Sequence, residues 1–108
     1  MNRDDAYLAY MRDAIRKIEQ FTAGTDVNSF ARDEKTQSAV MLQLMLIGEM
    51  AKKLFETTKA SFKLPWKEIA GFRDRVIHDY YDMDLDIIWD TVREDIPALK
   101  EVLGQANA

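Results

Sequence analysis

The sequence predicts an all-α protein, a bundle of four main helices joined by short connections. Three observations carry this expectation. Apolar residues recur at helical spacing through most of the chain. Only 4 glycines and 2 prolines interrupt 108 residues, which favours long helices over many short strands. Hydrophobic residues make up 47% and charged residues 31%, a mix that can fill a core and argues against disorder. The length suits one domain, residues 1–108, and no repeat, low-complexity tract or linker divides it.

The first helix is expected over about residues 3–21, where Leu8, Met11, Ile15 and Ile18 form one stripe. "TAGTDVNS" then breaks the pattern with Gly24 and a cluster of turn and cap residues. The second helix, about 29–57, is the longest, and its centre "AVMLQLMLIGEMA" is apolar on nearly every side. A helix apolar all round is buried all round. In so small a chain one partner surface is too few for it, so part of it is expected to meet a second subunit. Gly48 lies inside this run, where glycine costs about 1 kcal/mol relative to alanine, and it suggests a close approach of two helices. Glu49 is either a solvent-facing residue or a buried carboxylate needing a partner, and the apolar belt around it favours the second.

"TTKASFKLPW" is the next loop, with Pro65 suited to the start of a third helix over about 66–79. Ile69, Phe72, Val76 and Ile77 are its expected core face. "YYDMD" follows, and Asp84 is a plausible cap for the fourth helix. That helix carries Leu85, Ile88, Trp89, Val92, Ile96, Leu99 and Leu103 as its stripe, with Pro97 expected to bend or locally break it.

Composition excludes several function classes. Without cysteine there is no disulfide framework, zinc-thiolate site or cysteine nucleophile. The amphipathic start "MNRDDAYLAYMRDAI" lacks the long apolar run of a signal peptide or membrane span, so a cytoplasmic protein is expected. A net charge of −4 does not advertise broad electrostatic capture of nucleic acid. One local basic patch exists: Lys52, Lys53, Lys59, Lys63 and Lys67, followed by Arg73 and Arg75. Charge alone reads it as a solvated face. Asp82, Asp84 and Asp86 alternate like the start of a calcium loop, but Ile87 stands where that loop needs glycine and Arg93 where it needs glutamate. One histidine and no cysteine leave no His-rich metal cluster, and no phosphate loop or nucleophile elbow is present.

The remaining constellation is "FRDRVIHDYYD", residues 72–82, which holds the single histidine, His78. Asp74 and His78 are four apart, so their side chains can meet, and an aspartate there could fix the imidazole tautomer. Arg73 and Tyr80 are seven apart and share a face if the helix persists. Arg73 and His78 are five apart, about 140° around the axis, so one helix does not by itself bring them together. Two copies packed across a symmetry axis could. The bland alternative is a histidine at the surface or capping a helix end.

"LPWKEIAGFRDRVIHDYYDMDLDIIWDTVREDIPALKEVL", with "DEKTQSAVMLQLMLIGEMAKKL" upstream, resembles the HepT-like group of HEPN-domain proteins over roughly residues 5–103. The motif is Arg, four residues, His, any residue, Tyr, met here as Arg73, His78 and Tyr80. Asp74 fits the polar residue usual after the motif arginine. The resemblance implies an all-α HEPN-type bundle that works as a homodimer, with the two motifs facing across a cleft. It implies the toxin of a type II toxin–antitoxin pair, a metal-independent RNA endonuclease with Arg73 and His78 as catalytic residues. Asp74 would support them, and no cofactor is called for. The implied partner is a minimal nucleotidyltransferase (MNT-type) antitoxin, which transfers AMP from ATP to the motif tyrosine, here Tyr80. A different class remains open: a non-catalytic helical module whose task is to bind that partner.

Overall fold

A computed structural model describes residues 2–82 and 84–105, without the side chains of Asp79 and Gln105. All regular structure among the described residues is helical. The elements are α1 (Arg3–Thr22), α2 (Val27–Ala31), α3 (Glu34–Lys53), α4 (Glu56–Ala60), α5 (Trp66–Asp79), α6 (Leu85–Asp90), a π-helical turn (Thr91–Asp95) and α7 (Ile96–Gln105). Four long units dominate, namely α1, α3, α5 and the rod from α6 to α7, in keeping with the predicted bundle. No described helix is long and apolar enough to cross a membrane.

Helix α1 starts where Asn2 and Asp5 cap each other reciprocally, and it buries Leu8, Met11, Ile15 and Ile18. The expected second helix is not one element. Asp26 caps the short α2, and Asp33 starts α3 by accepting from Thr36 N at 3.0 Å and Thr36 Oγ1 at 2.6 Å. An aspartate that satisfies the free amides of a new first turn outweighs the propensity to continue the old helix. Phe30, fully buried, then packs against Trp89 with ring centroids 5.2 Å apart, and Gln37 Nε2 donates to Phe30 O at 2.8 Å. Helix α2 is thereby clamped between α3 and α6.

The far end of α3 is set from a distance. The Arg3 guanidinium donates to Lys53 O, covering a carbonyl of its last turn. Asp4, nearly inaccessible, accepts from Phe55 N at 2.9 Å and Thr58 Oγ1 at 2.6 Å. These bonds, the Thr58 hydroxyl foremost, hold its carboxyl below the usual carboxylate range. The predicted run to residue 57 therefore stops at Lys53, because α1 offers Phe55 a better partner than the helix does.

The third helix matches its predicted span, with Pro65 at its N-cap. Its core residues are Ile69, Phe72 and Val76; Ile77, expected beside them, is 47% exposed. Helix α5 buries a narrow face against α3, and Ile77 lies about 100° past Val76, outside it. Asp84 caps α6 by accepting from Asp86 N at 2.9 Å. The break expected at Pro97 appears one turn earlier. Proline has no N–H for Arg93 O and its ring crowds that carbonyl, and the widened turn at Thr91–Asp95 absorbs both, with Ile96 N–H reaching back to Thr91 O. The apolar stripe stays in register across it, since Ile88, Val92, Ile96, Leu99 and Leu103 are all buried.

Helix α3 packs on α1 on one side and on α5 on the other. Against α5 the contact is limited by Gly48. A β-carbon there would lie 2.6 Å from Arg73 N, 2.9 Å from Arg73 Cβ and 3.1 Å from Ala70 O. Two of these three atoms are backbone and cannot rotate away, so the close approach anticipated at Gly48 is real and falls at Arg73. Gly48→Ala gains about 1 kcal/mol of helix propensity. It also overpacks a rigid contact, which typically costs about 1–3 kcal/mol, and the backbone clash should decide the sign. Urea unfolding should show a net loss of stability; a variant as stable as the parent would mean that the helices can separate freely.

Candidate functional site in the seam between α3 and α5

The close approach at Gly48 brings charged residues of α3 against the first motif residue of α5. Arg73 is half-buried, and its Nε lies 3.0 Å from Glu49 Oε2. Arg73 Nη1 donates to Asp74 Oδ1 at 3.1 Å, and the same oxygen accepts from Lys52 Nζ at 2.8 Å. Glu49, Arg73, Asp74 and Lys52 thus form one chain of alternating charge across the two helices. Lys52, then Arg73, holds the Asp74 carboxyl below the usual carboxylate range. All four side chains are more than a third exposed, and exposed pairs contribute about 0.2–1 kcal/mol each. The network therefore adds little to stability.

Two expectations change here. Glu49 is neither buried nor free: it is 36% exposed and paired. Asp74 turns to Lys52 and Arg73, and no hydrogen bond joins it to His78 among the described residues. Side chains four apart can meet, but Asp74 has two cations within reach on the other side.

His78 is exposed near the end of α5. No hydrogen bond or ion pair links it to Arg73 among the described residues, in line with their angular separation. Tyr80 follows the last residue of α5 with helical angles, φ −51° and ψ −45°. It therefore keeps to the face of Arg73 and Val76. Its hydroxyl lies 3.3 Å from Ser38 Oγ, and its ring meets that of Tyr81 edge-on. Tyr80 is 44% exposed and Tyr81 95%.

Next to Arg73 along the same seam lies an open groove of about 420 Å³, lined by Ser38, Leu42, Met45, Val76, Ile77 and Tyr80. Leu42 and Ile77 leave large apolar surfaces uncovered there, and Leu46, one turn along α3 from Leu42, is also exposed. The all-round burial expected of α3 is thus not reached within one chain. Ser38 was not singled out from sequence, Lys52 was named only within a basic patch read as a solvated face, and Glu49 was expected to need a partner without that partner being identified. The available signal was a glutamate directly after a glycine inside an apolar belt, which marks a carboxylate that needs a cation.

An all-α bundle of four long units agrees with a HEPN-type fold. The family model described as Ribonuclease HepT-like matches residues 11–106, and the chain belongs to that family. It is 42% identical over 95 residues to a protein of Thermococcus cleftensis named probable ribonuclease HepT, covering 87% of this chain and 86% of that one. A protein of Caldanaerobacter subterraneus subsp. tengcongensis, named as a candidate RNase, is 34% identical over 96 residues, covering 88% and 86% of the two chains. A candidate RNase of Methanocaldococcus jannaschii is 36% identical over 99 residues, covering 90% and 82%. No solved structure matches the chain significantly.

Proposed function

We propose that residues 1–108 form one HEPN domain acting as a metal-independent RNA endonuclease, the toxin of a toxin–antitoxin pair, with Arg73 and His78 as its catalytic residues. The observation that carries the reading is the run of Arg73, His78 and Tyr80 along α5 and its C-cap, in a chain that belongs to the HepT-like ribonuclease family. RNA brings its own nucleophile. The 2′-oxygen attacks the adjacent phosphorus, its proton passes to a base, and the 5′-oxygen leaves with a proton from an acid. A cyclic phosphate and a free 5′-hydroxyl result. An imidazole can perform either proton transfer near neutral pH. A guanidinium can grip the phosphate and offset the charge that develops on it. Neither step requires a metal.

Purified protein made without its partner should cleave RNA with EDTA present. Arg73→Ala and His78→Ala should each reduce cleavage at least a hundredfold, with helicity and melting nearly unchanged, because both side chains lie outside the core. A variant that keeps full activity would sink this scheme. A second reading, a binding module that does not cut, draws support from the two carboxylates already beside Arg73. Absence of cleavage by the parent chain would favour it.

The reading requires two copies, since Arg73 and His78 diverge on one helix. The uncovered apolar strip of Leu42, Leu46 and Ile77 supports a two-fold pairing through α3 and α5. Sedimentation at micromolar concentration should give a dimer, and Leu42→Glu with Leu46→Glu should give a folded, inactive monomer. A parent chain that sediments as a monomer would remove the basis for a shared cleft.

In the same reading the antitoxin is an MNT-type nucleotidyltransferase that silences the toxin at Tyr80. The tyrosine oxygen attacks the α-phosphorus of ATP, loses its proton and displaces pyrophosphate. The added AMP places bulk and negative charge beside Arg73, where RNA phosphate must sit. Tyr80 is accessible, and it shares the groove-lining face of α5. Co-expression with the partner, then intact mass and peptide mapping, should show AMP on the peptide containing Tyr80 and none in Tyr80→Phe. Adducts confined to Tyr81 would refute the assignment.

A further inference from the structure

We infer that Glu49 is a positioning residue for Arg73: it acts on the reaction by fixing the plane of the guanidinium and touches no reacting atom. The inference rests on the ribonuclease reading above and adds a residue outside the motif. Its basis is geometric. Gly48 brings α3 so close to α5 that the next residue, Glu49, necessarily stands beside the Arg73 side chain. Glu49 Oε2 approaches Nε at 3.0 Å, while Asp74 Oδ1 holds Nη1 at 3.1 Å. The ion pair at Nε and the hydrogen bond at Nη1 engage two different nitrogens of the guanidinium, and together they restrict its swing. Asp74 is itself fixed by Lys52 at 2.8 Å, one turn beyond Gly48 on α3. The brace is thus anchored in the same helix at both ends, on residues 49 and 52.

An arginine on a flexible stem loses rotamer freedom when it grips a phosphate. A guanidinium already held in one plane has less to lose, and pre-organised charge is what stabilises a transition state. A bystander carboxylate would behave in the opposite way. Glu49 is an anion beside the proposed phosphate site, so its removal would relieve repulsion and strengthen RNA binding. The two roles therefore predict opposite changes in rate.

The test compares the intact chain with Glu49→Gln and Glu49→Leu in steady-state cleavage of one RNA oligonucleotide, with EDTA. Positioning predicts a fall in kcat of about 10- to 100-fold for Glu49→Leu, with KM unchanged or lower. Glu49→Gln, which keeps a polar oxygen beside the guanidinium but not the charge, should recover part of the loss. Unfolding in urea should be little altered. The side-chain Nε–H signal of Arg73 in a nitrogen–proton NMR spectrum should shift in Glu49→Leu and less in Glu49→Gln. Wild-type or faster kcat in Glu49→Leu overturns the inference alone, as does an unmoved Arg73 signal. No cleavage by the parent chain overturns both this inference and the reading on which it rests.

Discussion

The contact on which the rest of the molecule depends is the one between Gly48 and the backbone of Arg73. It sets how closely α3 and α5 approach, because a β-carbon at residue 48 would sit 2.6 Å from Arg73 N. Everything chemical in the seam follows from that spacing. Glu49 and Lys52 reach Arg73 and Asp74 only because the two axes are so near. The groove beyond, with Ser38 and Tyr80 on opposite walls, continues the same seam toward the end of α5.

Central helix α3 serves two surfaces of different kinds. Val40, Met41, Leu44, Ile47 and Ala51 complete the core with α1 and α5. Leu42 and Leu46 point away from it and stay open. A helix loaded with apolar residues beyond what its own subunit can cover carries the burden of exposed surface. The structure limits that burden to one strip beside the charged seam. The apolar strip and the ion-pair chain are thus neighbours, and a partner covering the first would also dry and strengthen the second.

Charge at the seam is balanced rather than basic. Glu49, Arg73, Asp74 and Lys52 sum to zero, in a chain with an overall charge of −4. Such a site does not attract RNA over long distances. In the proposed reading its chemistry would come from orientation, with Arg73 paired in the seam and His78 exposed near the end of α5. The Thr91–Asp95 π-turn illustrates the same economy in the scaffold, since one widened turn absorbs Pro97 without disturbing the buried stripe.

The amino-acid sequence by itself determined the helical class, the spans of α1 and α5, the start of α5 at Pro65 and the cap at Asp84. These rest on local rules, on apolar period and cap chemistry, which are written in neighbouring residues. It also flagged Gly48 and Glu49 as out of place. Only the tertiary structure decided where α3 ends, because Asp4 and Arg3, some fifty residues away, take the backbone groups there. Only it decided that Asp74 faces Lys52 rather than His78, and that Ile77 lies outside the core. The break at Asp33 lay between the two, a local cap hidden in a run that could have continued. Pairings between helices depend on how far apart their axes lie, and here that distance was set by the absence of one β-carbon.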